Sequence, residues 1–97
     1  MPVTSARYVT QHGSKYLQQL CKHFAHKVEV TYDATSASVP LPPGNVTMTA
    51  DSEALVVRIV AEDIRSMIQA RFVIDSHLVP FAAREKFTGL TWHMEEA

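Results

Sequence analysis

Apolar residues recur along this chain with two periods, and the points where the period changes divide it into elements. Val3 to Thr10 is rich in Val, Thr and Tyr, residues that favour extended backbone, and predicts a first strand. His12-Gly13-Ser14 breaks that run and predicts a helix from near Lys15, with Gly13-Ser14 as its cap. At about 100° per residue, Leu17, Leu20, Cys21 and Phe24 fall within one arc of roughly 100°, the width of a helix face lying on a core. From Val28 the period drops to two. Val28, Val30 and Tyr32 alternate with Glu29, Thr31 and Asp33, as a half-buried strand requires. Strands are expected again at Ala37 to Leu41, Val46 to Ala50 and Leu55 to Val60, with turns at Pro42-Pro43-Gly44-Asn45 and Ala50-Asp51-Ser52. Pro40 and Pro42 lack amide donors, so the third strand is expected to be short or distorted and to end near Val39.

Glu62 and Asp63 place acids at the start of a second helix, whose buried arc is read as Ile64, Met67, Ile68, Ile74 and Leu78. Arg71 lies inside that arc, so its stem packs while its head escapes to solvent, or it pairs with a carboxylate across the sheet. Pro80 disfavours helical geometry at Val79 and predicts a kink or restart before Arg84. Leu90, Trp92 and Met94 alternate with Thr91 and His93 in a final strand. The order β-α-β-β-β-β-α-β predicts an α+β fold, an antiparallel sheet with both helices on one face, on the plan of the TATA-binding-protein-like and helix-grip folds.

Composition narrows the reading. A chain of 97 residues, 46% hydrophobic and 20% charged, has the make-up of one domain spanning 1–97. A formal net charge of -1 removes the basic footprint expected of a nucleic-acid binder. No run approaches the roughly 18 apolar residues of a membrane span, and no basic-then-apolar leader opens the chain, so a cytoplasmic location is expected. The lone Cys21 allows no internal disulfide.

Candidate chemistry is sparse. His23, His26 and His77 are the metal candidates, since His23 and His26 lie about 60° apart on a regular helix. Cys21 lies about 160° from His23 and belongs to the core face, which argues against a Cys21-His23-His26 site and against Cys21 as a nucleophile paired with His23 or His77. Glu95-Glu96 reads as a solvated pair, and three glycines supply no phosphate-cradling loop. Nothing names a cofactor or a reaction, so a non-enzymatic role is expected. Tyr16, His23 and Lys27 fall within about 40° of one another beside the core arc. With His77 and Arg84 they are the expected polar handles of a small-molecule cavity between helices and sheet. Phe72 and Val73, apolar on the expected outer side of helix two, offer an alternative, a homodimeric interaction module.

The stretch His12-Gly13-Ser14-Lys15-Tyr16-Leu17-Gln18-Gln19-Leu20-Cys21-Lys22-His23-Phe24-Ala25-His26-Lys27 resembles a bacterial family known as domain of unknown function 2218. Leu41-Pro42-Pro43-Gly44, Ser76 to Glu85 and Leu90-Thr91-Trp92 are similar to the same family, so the resemblance spans nearly the whole chain. Pro40 and Pro80 stand where that family's pattern has polar residues, and Pro43 and Ala83 where it has aromatics. The resemblance implies no activity; through family members similar to domains found beside siderophore-interacting proteins, it implies a link to iron or siderophore handling.

Overall fold

The computed structural model describes residues 1–95. In chain order they form β1 (Val3–Val9), α1 (Gly13–Phe24), β2 (Thr31–Tyr32), β3 (Ser36–Leu41), β4 (Gly44–Ala50), β5 (Ala54–Ala61), α2 (Ile64–Phe81), a 3-10 turn (Ala83–Glu85) and β6 (Trp92–Glu95). This is the expected order. The strands make one antiparallel sheet in the order β2-β3-β4-β5-β1-β6, so β1 lies between β5 and β6.

Alternation decides which face of the sheet is covered. Ala37, Val39 and Leu41 of β3, Val46, Met48 and Ala50 of β4, and Leu55, Val57 and Ile59 of β5 are buried in one cluster. Leu17, Leu20, Cys21 and Phe24 of α1 and Ala70, Ile74 and Leu78 of α2 complete that cluster, which places both helices on the same face. Burying a side chain such as Leu20 stabilises the fold by about 1.5–3 kcal/mol. The opposite face carries Thr47, Thr49 and Arg58, all exposed.

Several local expectations are corrected. The cap of α1 is His12, whose side chain makes no capping bond; Gly13 is the first helical residue, and the Ser14 hydroxyl accepts from Gln18 Nε2 at 3.0 Å. Gly13 is needed for close approach, since a Cβ there would stand 3.0 Å from the Ala54 carbonyl oxygen. The predicted strand from Val28 shrinks to the exposed pair Thr31–Tyr32, while Val28 and Val30 pack on the core edge. β3 runs on to Leu41, and Leu41 pairs with Gly44 across Pro42-Pro43. Pro40 is tolerated because β2 reaches only Ala37 and Ser38, leaving Val39 to Leu41 with a neighbour on one side alone. α2 continues through Pro80 to Phe81 before the chain restarts as the 3-10 turn.

The face of α2 is also rotated from the expected one. Met67, Ala70, Ile74 and Leu78 are buried, whereas Ile64 and Ile68 are exposed, and Val73 is half-buried against the core. Asp63 caps this helix, accepting from the Ser66 amide at 2.8 Å. Arg71 takes neither expected course: it donates to Thr4 Oγ1 at 2.6 Å and lies over the Trp92 ring, 5.7 Å from its centroid. Thr4, fully buried, donates from its hydroxyl to the His93 carbonyl at 2.7 Å, so that hydroxyl is satisfied as both donor and acceptor.

Candidate functional site

Three of the five expected handles converge. His23 closes the last turn of α1, Lys27 follows in the turn after it, and His77 lies on the flank of α2 that faces α1. With Phe24, Val28, Leu41, Pro42, Pro43 and Val73 they line a cleft of about 290 Å³. The walls are apolar because the cleft is the unfilled margin of the core: Phe24 and Leu41 belong to the buried cluster, and Val28 and Val73 pack against it. The tight Leu41-Pro42-Pro43-Gly44 hairpin stiffens one side, since both prolines have their φ angles restrained.

The two imidazoles lie against each other, with ring centroids 4.4 Å apart and planes inclined by 47°. His77 Nδ1 sits 2.6 Å from the Val73 carbonyl oxygen. A carbonyl only accepts, so the neutral ring carries its proton on Nδ1 and leaves Nε2 as an acceptor. His23 is held below the ordinary histidine range by desolvation first, then by the charges of His77, His26 and Lys27. A cationic His77 or Lys27 therefore favours a neutral His23, and an anion entering the cleft would reverse that balance. The metal trio does not assemble: among the described residues no three His, Cys, Asp or Glu side chains stand close enough to share an ion. The regular helix ends at Phe24, so His26 lies in the following turn and leaves the helical register assumed from sequence.

Tyr16 and Arg84 belong to a different cluster, near the start of α1. Its centre is Glu85, a residue that sequence reasoning passed over. The Glu85 carboxylate accepts from Thr10 Oγ1 at 2.7 Å, Tyr16 Oη at 2.6 Å and Tyr8 Oη at 2.8 Å. Burial works to raise its carboxyl, but the hydroxyls of Thr10, Tyr16 and Tyr8 and the nearby His12 outweigh it, and the net displacement is downward. Both tyrosines are pushed up to about 12, by burial first and then by the hydrogen bond to Glu85 and its charge. Arg84, exposed on the 3-10 turn, opposes this slightly at Tyr16. In sequence Glu85 stands between Arg84 and Lys86 and reads as a solvated charge. The available signal was the set of hydroxyls: Tyr16 and Thr10 flank a buried helix start and each needs a partner.

Cys21 is fully buried and its thiol is pushed up to about 11 by desolvation, the condition of an inert core residue. Glu95 accepts from Arg58 Nε at 3.0 Å, and Glu96, the other half of the expected acidic pair, lies outside the described residues. No helix is long and apolar enough to cross a membrane.

Comparison with known proteins agrees with this architecture. An NMR structure of PA4090 from Pseudomonas aeruginosa superposes with a TM-score of 0.77 at 22% identity, covering 100% of this chain and 98% of that one, a likeness of fold. No curated protein matches the chain. A family model described as an uncharacterized protein conserved in bacteria, DUF2218, matches residues 5–93, and the chain belongs to that family.

Proposed function

We propose that this chain is a small, non-enzymatic, cytoplasmic ligand-binding domain whose site is the cleft between the end of α1 and α2. The observation that supports it is the pairing of apolar walls with three convergent nitrogen groups, on His23, Lys27 and His77. That combination suits a flat, largely apolar molecule carrying negative charge. Its ring would lie among Phe24, Pro42, Pro43 and Val73, and its anionic group would meet Lys27 and the imidazoles. A catecholate of the kind found in siderophores has this chemistry, and the link to iron handling implied by the family resemblance enters at that point. The test is an NMR titration with 2,3-dihydroxybenzoate, alone and as its ferric complex. Amide shifts should centre on His23, Lys27, Val73 and His77, and Lys27→Ala should weaken binding by roughly 3- to 10-fold. Shifts confined to other surfaces would remove the cleft from consideration.

A second reading, a homodimeric interaction module, is favoured by a separate observation. Ile64 (53%), Ile68 (58%) and Phe72 (69%) are exposed on successive turns of α2. Phe72 stays on this surface as expected from sequence, whereas Val73 turns to the cleft. Phe72→Glu should lower the mass measured by sedimentation velocity from dimer to monomer; a dimer untouched by it argues against this face.

A further inference from the structure

We infer that two copies of this chain join edge to edge through antiparallel pairing of β6 with β6, centred on Met94, with the exposed stripe of α2 packing beside the joint. This rests on the homodimer reading and specifies which surfaces meet and in what register.

The two edges of the sheet differ in their capacity to accept another strand. At one, β2 is two residues long and the adjoining β3 carries Pro40, which has no amide to donate. At the other, β6 pairs with β1 on one side, and the described residues supply no strand on its far side. An edge of that kind presents unpaired backbone groups to any strand that can align with it.

What flanks the edge points to the same place. Arg71 reaches Thr4 of β1 and the Met94 sulfur, and Asp75 accepts from the Leu90 amide and Trp92 Nε1, so this side of α2, which packs over β5, faces the β1–β6 side of the sheet. At about 100° per residue around the helix, Ile64 falls between Arg71 and Asp75, and Ile68 and Phe72 follow on the flank that turns away from the core on that same side. Met94, 52% exposed, continues the apolar strip onto the strand itself.

Pleat and side-chain polarity select the occupant and the register. A two-fold axis normal to the sheet keeps each protomer's helices on the same side, so residues facing each other across the joint must share a face of the sheet. Trp92 and Met94 point to the helix side, where Arg71 meets both, and Glu95 points to the other side with Arg58. Only a residue on the axis, or residues an even number apart, can then be opposite. Centring on His93 would set imidazole against imidazole. Centring on Met94 sets His93 opposite Glu95 of the second copy, twice by symmetry, and brings the two Met94 side chains together next to both α2 stripes. A second copy of β6 therefore complements the first in hydrogen bonding and polarity, imidazole N–H toward the carboxylate that Arg58 holds on that face and sulfur toward sulfur, within reach of a cross-strand pair.

The test combines mass with cross-linking in the full chain. Wild type should sediment as a dimer. Met94→Cys should form an intermolecular disulfide under mild oxidation, because residues opposite each other in a strand pair have Cβ atoms about 4.5–5.5 Å apart. His93→Cys, whose counterpart lies across Glu95, should not. Cys21, being buried, leaves the background silent. Ile68→Glu with Phe72→Glu should raise the dissociation constant roughly 10- to 100-fold. A monomeric wild type overturns both the dimer reading and the β6 joint. A dimer broken by the α2 substitutions but never cross-linked through Met94→Cys keeps the dimer reading and overturns the joint, as does cross-linking through His93→Cys in place of Met94→Cys.

Discussion

The two ends of α1 are built on opposite plans. At its start the chain is tied: Tyr16 on the helix, Tyr8 and Thr10 at the end of β1, and Glu85 on the 3-10 turn share one carboxylate. At its finish the helix opens into the cleft, where His23 and His77 lie against each other and His77 Nδ1 is held by the Val73 carbonyl, among mostly apolar walls. The first end satisfies its polar groups internally, and the second gives His77 Nε2 and the Lys27 ammonium no partner among the described residues. A polar cluster that closes on itself contributes to the fold, and one that stays open is where binding is to be sought.

The contrast can be broken most forcefully at Glu85. Glu85→Ala leaves three hydroxyls without their acceptor and should cost about 1–2 kcal/mol, toward the lower end for charge-assisted hydrogen bonds because solvent reaches the carboxylate. Thermal melting at neutral pH checks it. The Glu85 carboxyl is displaced downward on folding, so its contribution is present above the unfolded-state value and is lost as pH falls through the folded one. The gap between wild type and Glu85→Ala should therefore close in acid.

A smaller effect sharpens the same end. Tyr8 and Tyr16 are raised to about 12, so ultraviolet titration should show two tyrosines ionising only near that pH, and Glu85→Gln should bring both midpoints down. Stability tied to these phenols is present below their unfolded-state value and declines as pH rises through about 12. The smallest expected effect belongs to the open end. His23 should titrate below free histidine in NMR, and His77→Asn should move it part of the way back, since the charge of His77 ranks behind desolvation among the causes. A His23 midpoint unmoved by His77→Asn would mean that the rings do not sense each other in solution.

How far each end could be read from the sequence follows from the kind of signal each leaves. The core arc of α1 and the alternation of β4 were visible because one face of each is solvated and the other is not. α2 misled because it is apolar on more than one side: Ile64 and Ile68 look like core residues by type, and only the sheet beneath shows that Ala70 is the one pressed against it. His23, Lys27 and His77 could be proposed together, since two of them lie four residues apart at the end of one helix and the third needed only a neighbouring helix. Tyr16 lies on the same face by angle but a full two turns before His23, which is enough to put it in the Glu85 cluster. Glu85 itself left no pattern, because its partners come from three distant segments and meet only once the sheet has formed.

The place of β1 between β5 and β6 has a kinetic consequence. Val9 finds Ala54, and Ala6 finds both Val57 and Trp92, so the first strand in the chain gains no strand neighbour until much of the sequence after it is available. The local hairpins of β3, β4 and β5 are free to form early, whereas closing β1 onto them requires a long loop to be brought round, with its loss of chain entropy. Refolding should be governed by that late insertion, and a substitution at Ala6 should slow folding less than it speeds unfolding.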